Sequence, residues 1–166
     1  MLLASGVALA ATLEGGPGND TLVGTDGPDD IRGRGGDDIL KGEGGIDRVR
    51  GDGGNDTVSG GPGGTRDQRE RVEGDGGNDT VSGDGGADEV RGDLGNDDML
   101  GGGGPDFIRA DDDGRDSVNA GAGNDVIEAH DDEGIDTINC GDGTDTVDFD
   151  AGVDVVAANC EIRDPH

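Results

Sequence analysis

The chain has 166 residues, of which 28% are hydrophobic and 38 are glycine, with no Trp or Tyr and two Phe, so a conventional aromatic-rich core cannot be built from it. Forty acidic residues against twelve Lys and Arg give a formal charge of −28, which repels nucleic acid and anionic membranes and argues against both as partners. Low hydrophobicity with high net charge is also the signature of a disordered chain, and what argues for order is the placement of the acids and glycines.

In chain order, Met1 to Leu13 reads MLLASGVALAATL, an apolar run with an A-x-A element at Ala8–Ala10 but no basic stretch before it. That pattern fits the end of a secretory signal, so residues 1–14 are expected to be a signal-peptide remnant or an apolar N-terminal cap. The run is too short for a membrane span.

From Gly15 to Ala157 the chain divides into fifteen units, twelve of them nine residues long, as in GRGGDDILK (33–41), GEGGIDRVR (42–50) and GDGGNDTVS (51–59). The residue second from the end of each unit is apolar: Leu22, Ile31, Leu40, Val49, Val58, Val72, Val81, Val90, Met99, Ile108, Val118, Ile127, Ile138, Val147 and Val156. An acid precedes each of these by two positions: Asp20, Asp29, Asp38, Asp47, Asp56, Glu70, Asp79, Asp88, Asp97, Asp106, Asp116, Asp125, Asp136, Asp145 and Asp154. A fixed period of this kind predicts a solenoid whose units contact chiefly their neighbours. The glycines supply tight turns, the tripeptides around each apolar residue supply short strands, and one inward side chain per strand fills a narrow core, so the expected class is all-β.

Three units depart from the period. Unit six, 60–73, has five extra residues and carries Glu70 where the others carry Asp, and the units at 110–119 and 129–139 have one and two extra residues. Their turns are expected to bulge while their strands stay in register.

The repeat resembles the G-G-x-G-x-D-x-U-x nonapeptide of RTX, or hemolysin-type, calcium-binding proteins. The resemblance implies a parallel β-roll, a two-sheet right-handed solenoid in which two units make one coil. It also implies Ca2+ between stacked turns two units apart, held by glycine-turn carbonyls and the sixth-position aspartates. On that register Asp20, Asp38, Asp56, Asp79, Asp97, Asp116, Asp136 and Asp154 line one edge, and Asp29, Asp47, Asp88, Asp106, Asp125 and Asp145 line the other. Hard oxygen donors in a flexible turn suit Ca2+ rather than zinc or copper, and about eleven to thirteen places are expected, the lower figure leaving out the two that use unit six. Those two are expected to be weak, making unit six the least stable part of the array.

Cys140 opens a unit and Cys160 falls one coil later on the same edge. Coils about 4.8 Å apart bring the pair within disulfide reach. With 158–166 as a C-terminal cap, the segment 139–161 resembles the cysteine-closed ends of calcium-binding repeat proteins secreted by actinobacteria, and a secreted, extracellular, monomeric protein is expected. The outer residues separate into a Thr/Ser/Asn face and an Arg/Glu face. Interruption of the former by Ile39, Lys41, Asp98 and Leu100 argues against an ice-binding solenoid, which wants a regular Thr array. His130 and His166 are the only histidines, and neither has a nucleophile at a motif spacing, so no enzyme is expected. The alternative to a free-standing calcium-binding protein is a structural, adhesin or secretion appendage of an RTX-type exoprotein.

Overall fold

The computed structural model describes residues 9–64, 68–110, 114–130 and 134–165, and among them there is no helix, only strands and turns. One parallel sheet runs, in spatial order, Thr12–Glu14, Asp30–Gly35, Arg48–Gly53, Glu70–Gly76, Asp88–Leu94, Phe107–Arg109, Val126–Ala129, Thr146–Phe149 and Ile162–Pro165. The other runs Thr21–Val23, Ile39–Lys41, Thr57–Pro62, Thr80–Gly85, Asp98–Gly103, Ser117–Gly123, Thr137–Asn139 and Val155–Val156, with Asp142–Gly143 pairing beside Ser117–Gly123. Through the repeats, strands around successive apolar positions alternate between the sheets, so two units make one coil and every strand pairs with the strand one coil away. The architecture is a parallel β-roll.

Register is carried by the inward residues. Ile31 lies opposite Val49, Val49 opposite Val72 and Val72 opposite Val90 in one sheet, and Leu40, Val58, Val81 and Met99 align likewise in the other. Thirteen of the fifteen predicted core residues, Ile31 to Val147, are at most 1% exposed, while Leu22 and Val156, in the end coils, are partly buried against them. Alignment of Val49 with Val72 shows that the extra residues of unit six do not shift the strand, and Val118 opposite Ile138 shows the same for a later irregular unit. Parts of these insertions, 65–67, 111–113 and 131–133, lie outside the described residues, as does the stretch 1–8 of the apolar N-terminal run.

The roll is closed at its ends by residues outside the period. Leu13 stands opposite Ile31 and packs on the first coil, so the end of the N-terminal run supplies the outermost strand. At the far end Arg163, exposed, pairs with Val147, and its guanidinium donates to the carbonyls of Cys160, at 3.1 Å, and Ala157. Cys140 and Cys160 form a disulfide with their Cα atoms 5.2 Å apart, tying the last coil to the one before it.

The turns are tight enough to force unusual backbone. In six units the second residue is left-handed although it is not glycine: Arg34, Glu43, Asp52, Asp75, Asp84 and Asp93 have φ between 63° and 79°. A side chain in that region costs roughly 1–2 kcal/mol, because Cβ crowds the following carbonyl.

On the outer surface the Arg/Glu face is an array of paired charges. Glu73, 3% exposed, accepts from Arg50 Nε and Nη2 at 2.9 and 2.7 Å and from Arg71 Nε at 2.6 Å; Arg109 faces Glu128 at 3.1 Å, and Arg91 pairs with Glu89. Burial alone would raise the Glu73 carboxyl, but the hydrogen bonds from Arg50 and Arg71 outweigh it and hold the group below its ordinary value. The pairs that cross strands, Arg50 with Glu73 and Arg109 with Glu128, keep neighbouring parallel strands compatible.

Candidate metal centre

Each coil turns through two glycine-rich edges, and along each edge the sixth-position acids stack into a ladder. In the first, the backbone N–H of Asp20 donates to Asp38 Oδ1, and the same step repeats from Asp38 to Asp56, Asp56 to Asp79, Asp79 to Asp97, Asp97 to Asp116, Asp116 to Asp136 and Asp136 to Asp154, at 2.7–3.0 Å. The second ladder joins Asp29 to Asp47, Asp88 to Asp106 and Asp106 to Asp125 to Asp145, at 2.8–2.9 Å. All fourteen aspartates singled out in the sequence fall on these two edges, in the grouping expected from the coil register.

Two members were not expected. Ala11 N–H donates to Asp29 Oδ1 at 2.6 Å, and Asp145 N–H donates to Glu161 Oε2 at 3.1 Å, so Glu161 completes the second edge. The first edge also carries a polar ladder at the fifth position that runs the opposite way. Asp37, Asn55, Asn78, Asn96 and Arg115 each donate their N–H to the side-chain oxygen of the fifth residue one coil earlier. Recurrence of Asn19, Asn55, Asn78 and Asn96 in alternate units was the sequence signal for it.

One carboxylate oxygen of most interior aspartates is thus held by a backbone N–H, with Asp88 the exception. Oδ2 of Asp38, Asp47, Asp56, Asp79, Asp106, Asp125 and Asp145, and both oxygens of Asp88, are buried with no hydrogen-bond partner. In three units near the ends the oxygen turns inward instead: Asp20, Asp29 and Asp154 accept through Oδ2 from the N–H of Gly16, Thr25 and Asp150. A buried carboxylate oxygen left without a partner is costly, and its recurrence at the same place in successive coils calls for a common positive partner.

The surrounding turn supplies more oxygen. A Cβ built on Gly33 would lie 2.2 Å from Asp38 Oδ2 and 2.7 Å from the Gly51 carbonyl; on Gly42, 2.5 Å from Asp47 Oδ2 and 2.3 Å from the Gly60 carbonyl; and on Gly51, 2.4 Å from Asp56 Oδ2 and 2.6 Å from the Gly74 carbonyl. Carboxylate and carbonyl oxygens therefore converge on a point that only glycine leaves open. No cluster of three or more His, Cys, Asp or Glu side chains forms a metal site among the described residues. The donor set is a few carboxylates with backbone carbonyls, all hard oxygen, which fits Ca2+ and disfavours zinc or copper.

The electrostatics of the metal-free ladder agree. Burial, reinforced by neighbouring ladder carboxylates, pushes Asp79 up to about 7; burial with the nearby Asp84 pushes Asp88 up to about 7; and burial with Asp88 and Asp125 pushes Asp106 up to about 7. Asp125 rises to about 6 for the same reasons, burial and Asp145, and Asp47 and Asp56 are raised as well. Glu70, 0% exposed between Asp47 and Asp88, is pushed up to about 8 by burial and by those two carboxylates. Without a cation the ladder resists its own ionisation.

A parallel β-roll with acid-lined glycine turns and a cradle of hard oxygen atoms defines a calcium-binding solenoid. The family model for the RTX calcium-binding nonapeptide repeat matches residues 14–49, 35–64, 73–108, 111–133 and 129–156, most of the chain, and the chain belongs to that family. It is a calcium-binding repeat protein. No curated protein matches it.

Proposed function

We propose that the chain is a secreted calcium-binding module whose folding is driven by Ca2+ held between stacked turns. Asp20, Asp29, Asp38, Asp47, Asp56, Asp79, Asp88, Asp97, Asp106, Asp116, Asp125, Asp136, Asp145 and Asp154 contribute carboxylate oxygens, and the turns contribute carbonyls. The repeat domain spans 15–157, and 158–166 closes it. The observation that carries this reading is the set of buried Oδ2 atoms without partners, those of Asp38, Asp47, Asp56, Asp79 and Asp88 each beside a glycine carbonyl of the next coil.

Folding should depend on the ion because each nine-residue unit buries little more than one aliphatic side chain, which does not offset the entropy of ordering the unit, and because the acids repel one another. Binding to the folded state alone then contributes stability at every place. The disulfide and the family membership support an extracellular site of action, where calcium is millimolar and thiols oxidise.

A calcium titration followed by far-ultraviolet circular dichroism tests the proposal. A largely disordered chain in chelator should gain β structure cooperatively between about 0.1 and 10 mM calcium, with magnesium a poor substitute because it demands a small, rigid octahedral shell. Identical spectra in excess chelator and in calcium would overturn it.

A further inference from the structure

Sequence spacing puts the two places that share unit six in doubt, because of the insertion and the change from Asp to Glu. The side chain of Glu70 argues the other way. It is 0% exposed, and neither carboxylate oxygen has a hydrogen-bond partner. A Cβ built on Gly63 would lie 1.7 Å from Glu70 Oε1 and 1.9 Å from the Gly45 carbonyl, while one built on Gly60 would lie 2.7 Å from Oε2 and 3.0 Å from the Gly83 carbonyl. Oε1 thus shares the space over Gly63 with the carbonyl of the coil before, and Oε2 shares the space over Gly60 with the carbonyl of the coil after. Oxygen atoms brought together in a buried place repel, and a cation between them removes the repulsion.

The neighbours are prepared in the same way. Asp47 Oδ2 and both oxygens of Asp88 are buried without hydrogen bonds. The insertion itself runs against the ladder: a Cβ on Gly64 would lie 2.5 Å from the Ala87 carbonyl and 2.7 Å from Asp88 Oδ1. Strand pairing holds Arg71 opposite Arg48 and Glu70 opposite Asp88, so the Glu70 backbone keeps the position of an ordinary ladder acid, and the extra methylene lets one carboxylate reach both neighbours.

We propose that Glu70 is a calcium ligand and that unit six holds a cation on each side, between Asp47 and Glu70 and between Glu70 and Asp88. This rests on the calcium reading of the whole roll. What the structure adds is that the irregular unit is a joint in the array and not a gap.

The experiment counts calcium ions per folded chain, by native mass spectrometry and equilibrium dialysis, for the full-length protein and for Glu70→Gln and Glu70→Asp. Glu70→Gln should lose the ions of the two places that share residue 70 while keeping the β spectrum in about 10 mM calcium, and Glu70→Asp should retain more of them than Glu70→Gln. An unchanged count in Glu70→Gln overturns the proposal, and marks residue 70 as a buried acid that carries its own proton. If Glu70→Gln does not fold, carbon-13 carboxyl spectra of the unaltered chain labelled at Glu decide. A Glu70 signal that moves and becomes fully ionised on calcium saturation supports the assignment, and one that stays protonated at pH 7 in saturating calcium overturns it. A native chain that binds no calcium would instead sink the reading of the whole roll, so the two failures are distinguishable.

Discussion

The backbone N–H of Asp38 donates to Asp56 Oδ1 at 2.7 Å, one coil along, and leaves Asp56 Oδ2 buried with no donor of its own. The two oxygens of one carboxylate thus have separate tasks: one splices the coils together, and the other faces the glycine carbonyls. A substitution can separate the tasks. Asp56→Asn keeps an oxygen for the Asp38 N–H but removes the charge. It should lower stability in about 1 mM calcium by about 3 kcal/mol, through the loss of two places with dissociation constants of about 10⁻⁴ M, and raise the calcium midpoint. In chelator the same change should be neutral or stabilising, since it removes repulsion. Thermal unfolding with and without calcium checks the reversal of sign.

Acid should partly replace calcium. Asp79, Asp88 and Asp106, pushed up to about 7 by burial, bind protons in the folded metal-free roll over a pH range in which the unfolded chain, with aspartates near their ordinary value of 3.8, has released them. Folded values above unfolded values mean that this contribution is fully present below about pH 4 and is lost as pH rises through about 7. Calcium-stripped protein should therefore gain β signal between about pH 7.5 and 5, while its calcium affinity falls over the same range because protons compete for the same oxygens. A metal-free spectrum that does not change across that interval would contradict the burial of these carboxylates.

Relief of backbone strain gives a further expectation. Asp52 has φ of 70° and stacks beside Asp75 in the neighbouring coil. Asp52→Gly removes both the left-handed penalty and a like charge, against a modest entropic cost in the unfolded chain, and should stabilise the roll by up to about 1 kcal/mol. Denaturant unfolding at fixed calcium measures it; a destabilised variant would show that the Asp52 side chain makes a favourable contact.

Reduction of the disulfide should act locally. Closing the roughly twenty-residue loop between Cys140 and Cys160 contributes about 3 kcal/mol on the chain-entropy account. Cys140→Ser with Cys160→Ser should lower the midpoint of thermal unfolding in calcium, and hydrogen exchange should rise first in 139–161. Uniform loss of protection along the whole chain would mean instead that the roll unfolds as one cooperative unit.

The parts of the fold set by the period were legible without coordinates: the inward residues from Ile31 to Val147, the two edges of aspartates and the cysteine pair one coil apart. What repeats is constrained by identical neighbours, so one unit read correctly places the others. The ends escaped because their partners come from outside the repeat. Nothing in the period announces Leu13 under the first coil, Glu161 on the second edge or Arg163 across the last, since each has a neighbour on one side only. Glu70 escaped for a different reason. Spacing flagged its unit as irregular, and only the coordinates show its carboxylate buried with no hydrogen-bond partner.

The first position of the unit changes character along the chain. From Gly15 to Gly101 it is glycine, and a methyl there would strike a ladder carboxylate or a neighbouring carbonyl; from Ala110 onward it is Ala110, Ala120, Ala129 and Cys140, all at most 1% exposed and packed in the core, and then the partly buried Phe149. The late coils therefore bury a second apolar side chain per unit and carry a covalent clasp, and the early coils have neither at this position. The molecule is a graded rod, soft at its N-terminal end and anchored at the other. As calcium is withdrawn it should unravel directionally, like a coil of rope paying out from a fixed cleat.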